Sequence, residues 1–183
     1  MDSSEWTLLP NPPTKIGLIR IPRLDWDSFF MLHAHLAATR STCDRGPELL
    51  LDPGRHGVGA VFVRDHRIIA GGYNGSPPGE PHCSDSGHLL VEGHCVRTLH
   101  AEENALLQCA LDGISPSGAT VYSTAGPCWE CAKRFLRVKV ARVVFAEEYD
   151  SRHGMSGDAL HMLRKNGVSV ERLDVRGALG WIS

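Results

Sequence analysis

LHAEENALLQCALDG, residues 99–113, is the stretch whose reading decides the fold. Ala, Leu, Glu and Gln dominate it, and Gly113 stands where a helix ends. Ala105, Leu106, Cys109 and Ala110 recur at helical spacing, the pattern of a face turned to a core. Yet the first turn expected here carries His100 and Glu102, followed by a second carboxylate at Glu103. A helix that buries one face gains nothing in packing from starting with His-Ala-Glu.

Downstream lies YSTAGPCWECAKRFL, 122–136, where a strand runs through Pro127 into a second helix starting near Cys128. Cys128 and Cys131 are spaced C-x-x-C, and positions three apart share a helix face. A helix N-terminus also favours anionic sulfur. Three readings follow. A redox pair of the thioredoxin type leaves His-Ala-Glu unexplained. A four-cysteine zinc site needs a second C-x-x-C, and the sequence has none. His100 with Cys128 and Cys131 supplies three zinc ligands and leaves a fourth position for water, which is the catalytic pattern. Glu102 then faces that water without binding the metal. Taken singly, His100 reads as readily as a core histidine and Glu102 as a solvated acid. It is their joint occurrence that points to chemistry.

The rest of the chain sets bounds. Its 183 residues suit one compact domain, placed at 25–183 behind an irregular, proline-broken arm at 1–24. The formal net charge of −2 disfavours a polynucleotide partner and leaves room for a small anionic ligand. The N-terminus lacks the basic and apolar regions of a secretory signal, and no apolar run suits a bilayer, so a cytoplasmic protein with no membrane partner is expected. In a reducing compartment the six cysteines favour metal or catalytic use over disulfides.

Asp25 or Asp27 is expected to cap an amphipathic helix in DWDSFFMLHAHLAATRS, 25–41. Residues 44–57 read as a Pro/Gly-punctuated loop, VGAVFV (58–63) as a strand and IIAGGYN (68–74) as its hairpin partner. A long segment without regular periodicity, 75–97, precedes the opening helix. After it come strands at ATVYST (119–124), ARVVFA (141–146) and VSVERL (168–173), with helices between them. This order predicts an α/β fold, a three-layer α/β/α sandwich around a mixed five-stranded sheet.

RSTCDR (40–45), VGAVFV, GGYNGSP (71–77), HC (82–83), GHCVRTLHAEENALLQCA (93–110) and PCWEC (127–131) together resemble the cytidine deaminase superfamily, and within it the deoxycytidylate deaminases. The H-x-E…P-C-x-x-C pair is the known signature of zinc deaminases, so this is a match and not a derivation. The resemblance implies hydrolysis of dCMP to dUMP and ammonia by zinc-bound hydroxide, with Glu102 as proton shuttle, supplying dUMP for thymidylate synthesis. It implies Asn74 as a sugar or phosphate contact, and either Arg45 or Arg55 in the place of the family's arginine; Tyr149, past the end of a strand in AEEYDSRHG, is expected to line the pocket as a second substrate-binding residue. It also implies a second, structural zinc held by Cys43, Cys83, His88 and Cys95, with His94 in reserve for Cys95. dCTP as activator, dTTP as inhibitor and a homo-oligomer from dimer to hexamer belong to the same expectation. Gly126, without a side chain before Pro127, leaves a 5-substituted dCMP open as substrate, and dCTP is a further alternative. A zinc-stabilised nucleotide-binding protein without activity is the remaining alternative, and the intact Glu102 argues against it.

Overall fold

The structure, a computed structural model, describes residues 23–148 and 156–177. Residues 1–22 of the expected arm lie outside this range. Asp25 is the residue that caps the first helix: its carboxylate accepts from Ser28 N at 2.9 Å. Helix α1 (Trp26–Ala38) turns Phe30, Met31, Ala34 and Ala38 inward. Its Asp27 accepts two bonds from Arg142, each of 2.7 Å, and one of 2.6 Å from the Tyr122 hydroxyl, fastening the helix to the sheet.

The loop expected over 44–57 is instead largely a two-stranded antiparallel ribbon, β1 (Glu48–Leu49) with β2 (Asp52–His56). Pro53 argues against a strand in the sequence, but a ribbon is all edge, where proline is tolerated. A Glu48 oxygen accepts from Gly54 N at 2.8 Å and closes the tip.

Strands β3 (Gly59–Arg64) and β4 (Arg67–Tyr73) form the expected hairpin. Asp65 and His66 turn it with φ of 52° and 57°, the left-handed pair that a two-residue I′ turn requires. Segment 75–97 holds only the short helix α2 (Cys83–Ser86) and the ribbon of β5 (Leu90–Val91) and β6 (His94–Cys95). Then come α3 (Ala101–Leu111), β7 (Thr120–Ala125), α4 (Trp129–Arg137), β8 (Arg142–Glu147), α5 (Ser156–Lys165) and β9 (Ser169–Arg172). His100 is the N-cap of α3, one residue ahead of the turn in which the sequence placed it.

The main sheet runs β4-β3-β7-β8-β9. β3 is antiparallel to both neighbours, while β7, β8 and β9 are parallel, as crossover helices demand. On one face Val61, Val63, Tyr122 and Val144 pack against Phe30, Met31 and Ala34 of α1. On the other, Phe62, Val121, Val143 and Phe145 pack against Ala105 and Cys109 of α3, Phe135 of α4 and Leu160 and Leu163 of α5. This is the mixed five-stranded sheet and three-layer sandwich that the sequence predicted. Each fully buried large side chain here contributes about 1.5–3 kcal/mol. Among the described residues no helix is long and apolar enough to cross a membrane.

Two glycines set how closely the helices sit. A Cβ at Gly59 would lie 2.1 Å from Ala34 O of α1, and one at Gly72 would lie 2.4 Å from Ala101 O and 2.5 Å from Ala105 N of α3. At neighbouring Gly71 the nearest atom would be an ordinary 3.7 Å away. Gly72→Ala is therefore expected to cost about 3 kcal/mol in urea unfolding, and Gly71→Ala less than about 1 kcal/mol.

His35 of α1 is buried, and burial first, with the Arg176 charge second, lowers its pKa to about 4, against the pull of Glu147 and Asp174. The unfolded chain then binds the extra proton between pH 6.5 and about 4. Stability is complete above that window and falls as pH drops through it, by up to about 3 kcal/mol. A His35→Leu variant is expected to lose this part of the acid slope in urea melts from pH 7 to 4.

Candidate active site and metal centres

Helices α3 and α4 begin at the same end of the sheet, and their N-caps are His100 and Cys128. An N-cap side chain ordinarily accepts a bond from its own helix. Neither of these does. Their carbonyls open the helices, accepting from Asn104 N and Ala132 N, and their side chains turn toward each other. His100 Nδ1 lies 3.4 Å from Cys128 Sγ and 3.6 Å from Cys131 Sγ. A tetrahedral zinc with bonds of about 2.1 Å to nitrogen and 2.3 Å to sulfur sets such a pair about 3.6 Å apart, so the donors fit the ion. The Cys131 hydrogen bond first, and then His100, pull the Cys128 thiol down to about 4.

Leu99 and Gly75 exchange backbone bonds of 3.0 and 3.3 Å, and Asn104 Nδ2 donates to Tyr73 O at 3.1 Å. These bonds tie the start of α3 to the end of β4 and fix where His100 points. Glu102 is 4% exposed and lines the same cavity as His100 and Cys128. Burial pushes its carboxyl up to about 7, with His100 opposing. A carboxyl poised near neutrality can both take and give a proton. Glu103 pairs instead with Arg134 of α4 at 3.0 Å.

The cavity has a volume of about 250 Å³. Its wall includes Arg45, Asn74, Gly126 and the run His94, Cys95 and Val96. Asn74 Oδ1 accepts from Val58 N at 2.7 Å and Ser41 Oγ at 2.5 Å. Its Nδ2 donates to Cys43 O at 2.8 Å and Arg45 O at 3.2 Å. All four bonding positions of the amide are thus used within the chain, and they hold segment 41–45 against the hairpin. Of the two candidate arginines, Arg45 borders this cavity. Arg55 lies in a second one, bonded to Asp52 at 2.9 Å and to Ser41 O at 3.4 Å. Tyr149 falls outside the described residues.

Cys43, Cys83, His88 and Cys95 form a second cluster, all ligand atoms within 4.8 Å of one another. Cys83 and Cys95 sulfurs are 3.5 Å apart, and Cys43 Sγ is 3.8 Å from His88 Nδ1. His94, the reserve ligand, borders the cavity beside His100 and Glu102 instead. His88 Nε2 lies 2.8 Å from Asp44 Oδ1, a carboxylate that sets which ring nitrogen faces the sulfurs. Sequence reasoning missed Asp44, although it directly follows Cys43.

Residues 24–147 match the model of the cytidine and deoxycytidylate deaminase zinc-binding region. The ComE operon protein 2 of Bacillus subtilis is 42% identical over 153 residues, 84% of this chain and 74% of that protein. The deoxycytidylate deaminase of Saccharomyces cerevisiae is 34% identical over 158 residues, 82% of this chain. The chain spans only 45% of that relative's length. A crystal structure of the dCMP deaminase from cyanophage S-TIM5, in complex with dCMP and dUMP, superposes with a TM-score of 0.63 at 31% identity, covering 79% of this chain and 94% of that one.

Each cluster is expected to take one zinc. Metal analysis of loaded protein should give two per chain for the wild type and one each for His100→Ala and Cys83→Ala. Cys83→Ala alone should expose segment 75–97 to protease, because that segment has little core of its own.

Proposed function

The chain belongs to the cytidine and deoxycytidylate deaminase family with its zinc-binding region, and we propose that it converts dCMP and water to dUMP and ammonia. One observation carries this reading: buried Glu102 lines the same cavity as His100 and Cys128, which form one donor cluster with Cys131, and Arg45 stands at the cavity's edge. Arg45 makes no ion pair among the described residues, so its charge is available to a 5′-phosphate. That the cyanophage enzyme of similar fold holds dCMP and dUMP supports the choice of nucleotide.

His100, Cys128 and Cys131 would hold zinc, which when bound supplies the Lewis acidity that makes water a nucleophile near neutral pH. Glu102 takes a proton from the attacking water and delivers it to N3 of the cytosine ring. As the bond at C4 breaks, Glu102 carries the second proton to the departing amine. Its burial suits both steps, because it brings the carboxyl to about 7, where the group can take a proton and give one back near neutral pH. Asn74 serves the nucleotide through segment 41–45, which it holds. Direct contact with sugar or phosphate would require it to give up one of its four bonds. The Cys43, Cys83, His88 and Cys95 cluster acts as a structural zinc site beside the cavity. Activation by dCTP, inhibition by dTTP and assembly into a homo-oligomer belong to this reading through family resemblance. Gly126 at the cavity wall supports a second reading, a 5-substituted dCMP as substrate.

Zinc-loaded protein is expected to release ammonia from dCMP with loss of cytosine absorbance. Glu102→Ala should lower kcat about 10³-fold. Arg45→Ala should raise KM for dCMP about tenfold or more and leave turnover of deoxycytidine nearly unchanged. Folded, zinc-loaded wild type without turnover of dCMP would overturn the reading.

A further inference from the structure

Ser123 is fully buried, at 0% exposure, and its Oγ has no hydrogen-bond partner. It sits in the middle of β7, paired with Ala60 on one side and Phe145 on the other. Successive strand residues alternate between faces. Tyr122 packs on the α1 side, whereas Val121 belongs to the cluster on the α3 and α4 side. Ser123 therefore points the same way as Val121 and Ala125. Ala60 and Ala125 both pack against Ala101, the first residue of α3. The Ser123 hydroxyl is thus set beneath the first turn of that helix, where Glu102 is buried.

An unpartnered buried hydroxyl costs about 1–3 kcal/mol. Its immediate strand neighbours, Ala60 and Phe145, offer no side-chain acceptor. Alanine would fit the same place at no such cost. The hydroxyl is useful only if an acceptor comes to it, and the carboxylate of Glu102 is that acceptor. We infer that the Ser123 hydroxyl donates to the inner oxygen of Glu102 and positions the carboxylate, leaving the outer oxygen to handle protons. The Ser123 hydroxyl and the Glu102 carboxylate are near enough to interact as side-chain hydrogen-bond partners. Ser123 does not line the cavity, so it is a positioning residue that acts through Glu102. A carboxylate free to turn about its last bond would present the wrong oxygen, or none, to the water and to N3.

The kinetic part of this inference rests on the deaminase reading, and the structural part does not. A crystal structure of zinc-loaded wild type is expected to show Ser123 Oγ about 2.5–3.0 Å from a Glu102 carboxylate oxygen. A hydroxyl bonded to a main-chain carbonyl instead would overturn the inference. Ser123→Ala is expected to lower kcat for dCMP about tenfold, with KM, zinc content and the urea midpoint retained. Ser123→Thr, which keeps a hydroxyl, should recover most of the loss. Unchanged kcat in Ser123→Ala, or loss of zinc or stability together with activity, would assign the serine to packing alone and overturn the proposal. If wild type left dCMP untouched, the deaminase reading would fail while the Ser123–Glu102 distance still decided the hydrogen bond.

Discussion

The seat of α3 on β4 is the constraint from which the rest of the structure follows. Gly72 lets the helix backbone approach the strand where a single methyl group would collide with Ala101 and Ala105. The Gly75–Leu99 bridge and the Asn104–Tyr73 bond then fix the helix along its axis. His100 Nδ1 meets the Cys128 and Cys131 sulfurs only because both approaches are set. Donor spacings of 3.4 and 3.6 Å leave little tolerance: a displacement of about 1 Å would break the tetrahedral edge lengths. The helix is placed by backbone contacts so that its cap can be spent on chemistry.

Burial acts on Glu102 and His35 with opposite results. It raises the carboxyl of Glu102 and lowers the imidazole of His35, because in each case the charged form is the one denied water. At Glu102 the shift brings a carboxyl into the range where it can exchange protons at neutral pH. At His35 it keeps a ring neutral inside the α1 layer. What separates the two is access: Glu102 borders a cavity, and His35 is enclosed by α1 and the chain around Glu147 and Arg176.

Much of this was legible in the sequence, for local reasons. The β3–β4 hairpin, the helices and the three parallel strands follow from periodicity and turn residues. The His100, Cys128 and Cys131 set was legible through a match to the H-x-E…P-C-x-x-C signature, and the structure brings the three donors together. What escaped was whatever depends on how loops fold back. Pro53 and Gly54 disguised a ribbon as a loop, since the rule against proline in strands weakens at an edge. Nothing in RSTCDRGPELLLDPGRHG tells which arginine reaches the cavity, because that depends on the four bonds of Asn74. Asp44 is unreadable without the ring orientation of His88. Ser123, in a strand of mixed character, reads as an ordinary polar position until its complete burial is seen.

Cys95 belongs to the four-donor cluster and also to the cavity wall. That side of the chamber is pinned at a few ligand points rather than packed throughout, and Leu89, Leu90 and Val91 between those points are about half exposed. Side chains there carry little of the molecule's stability. Lineages can therefore rewrite them at small cost while the ligands stay fixed. The segment is a stretch of low mutational penalty that leads into the cavity wall at His94, Cys95 and Val96, where drift in the sequence can become a change in what the chamber accepts.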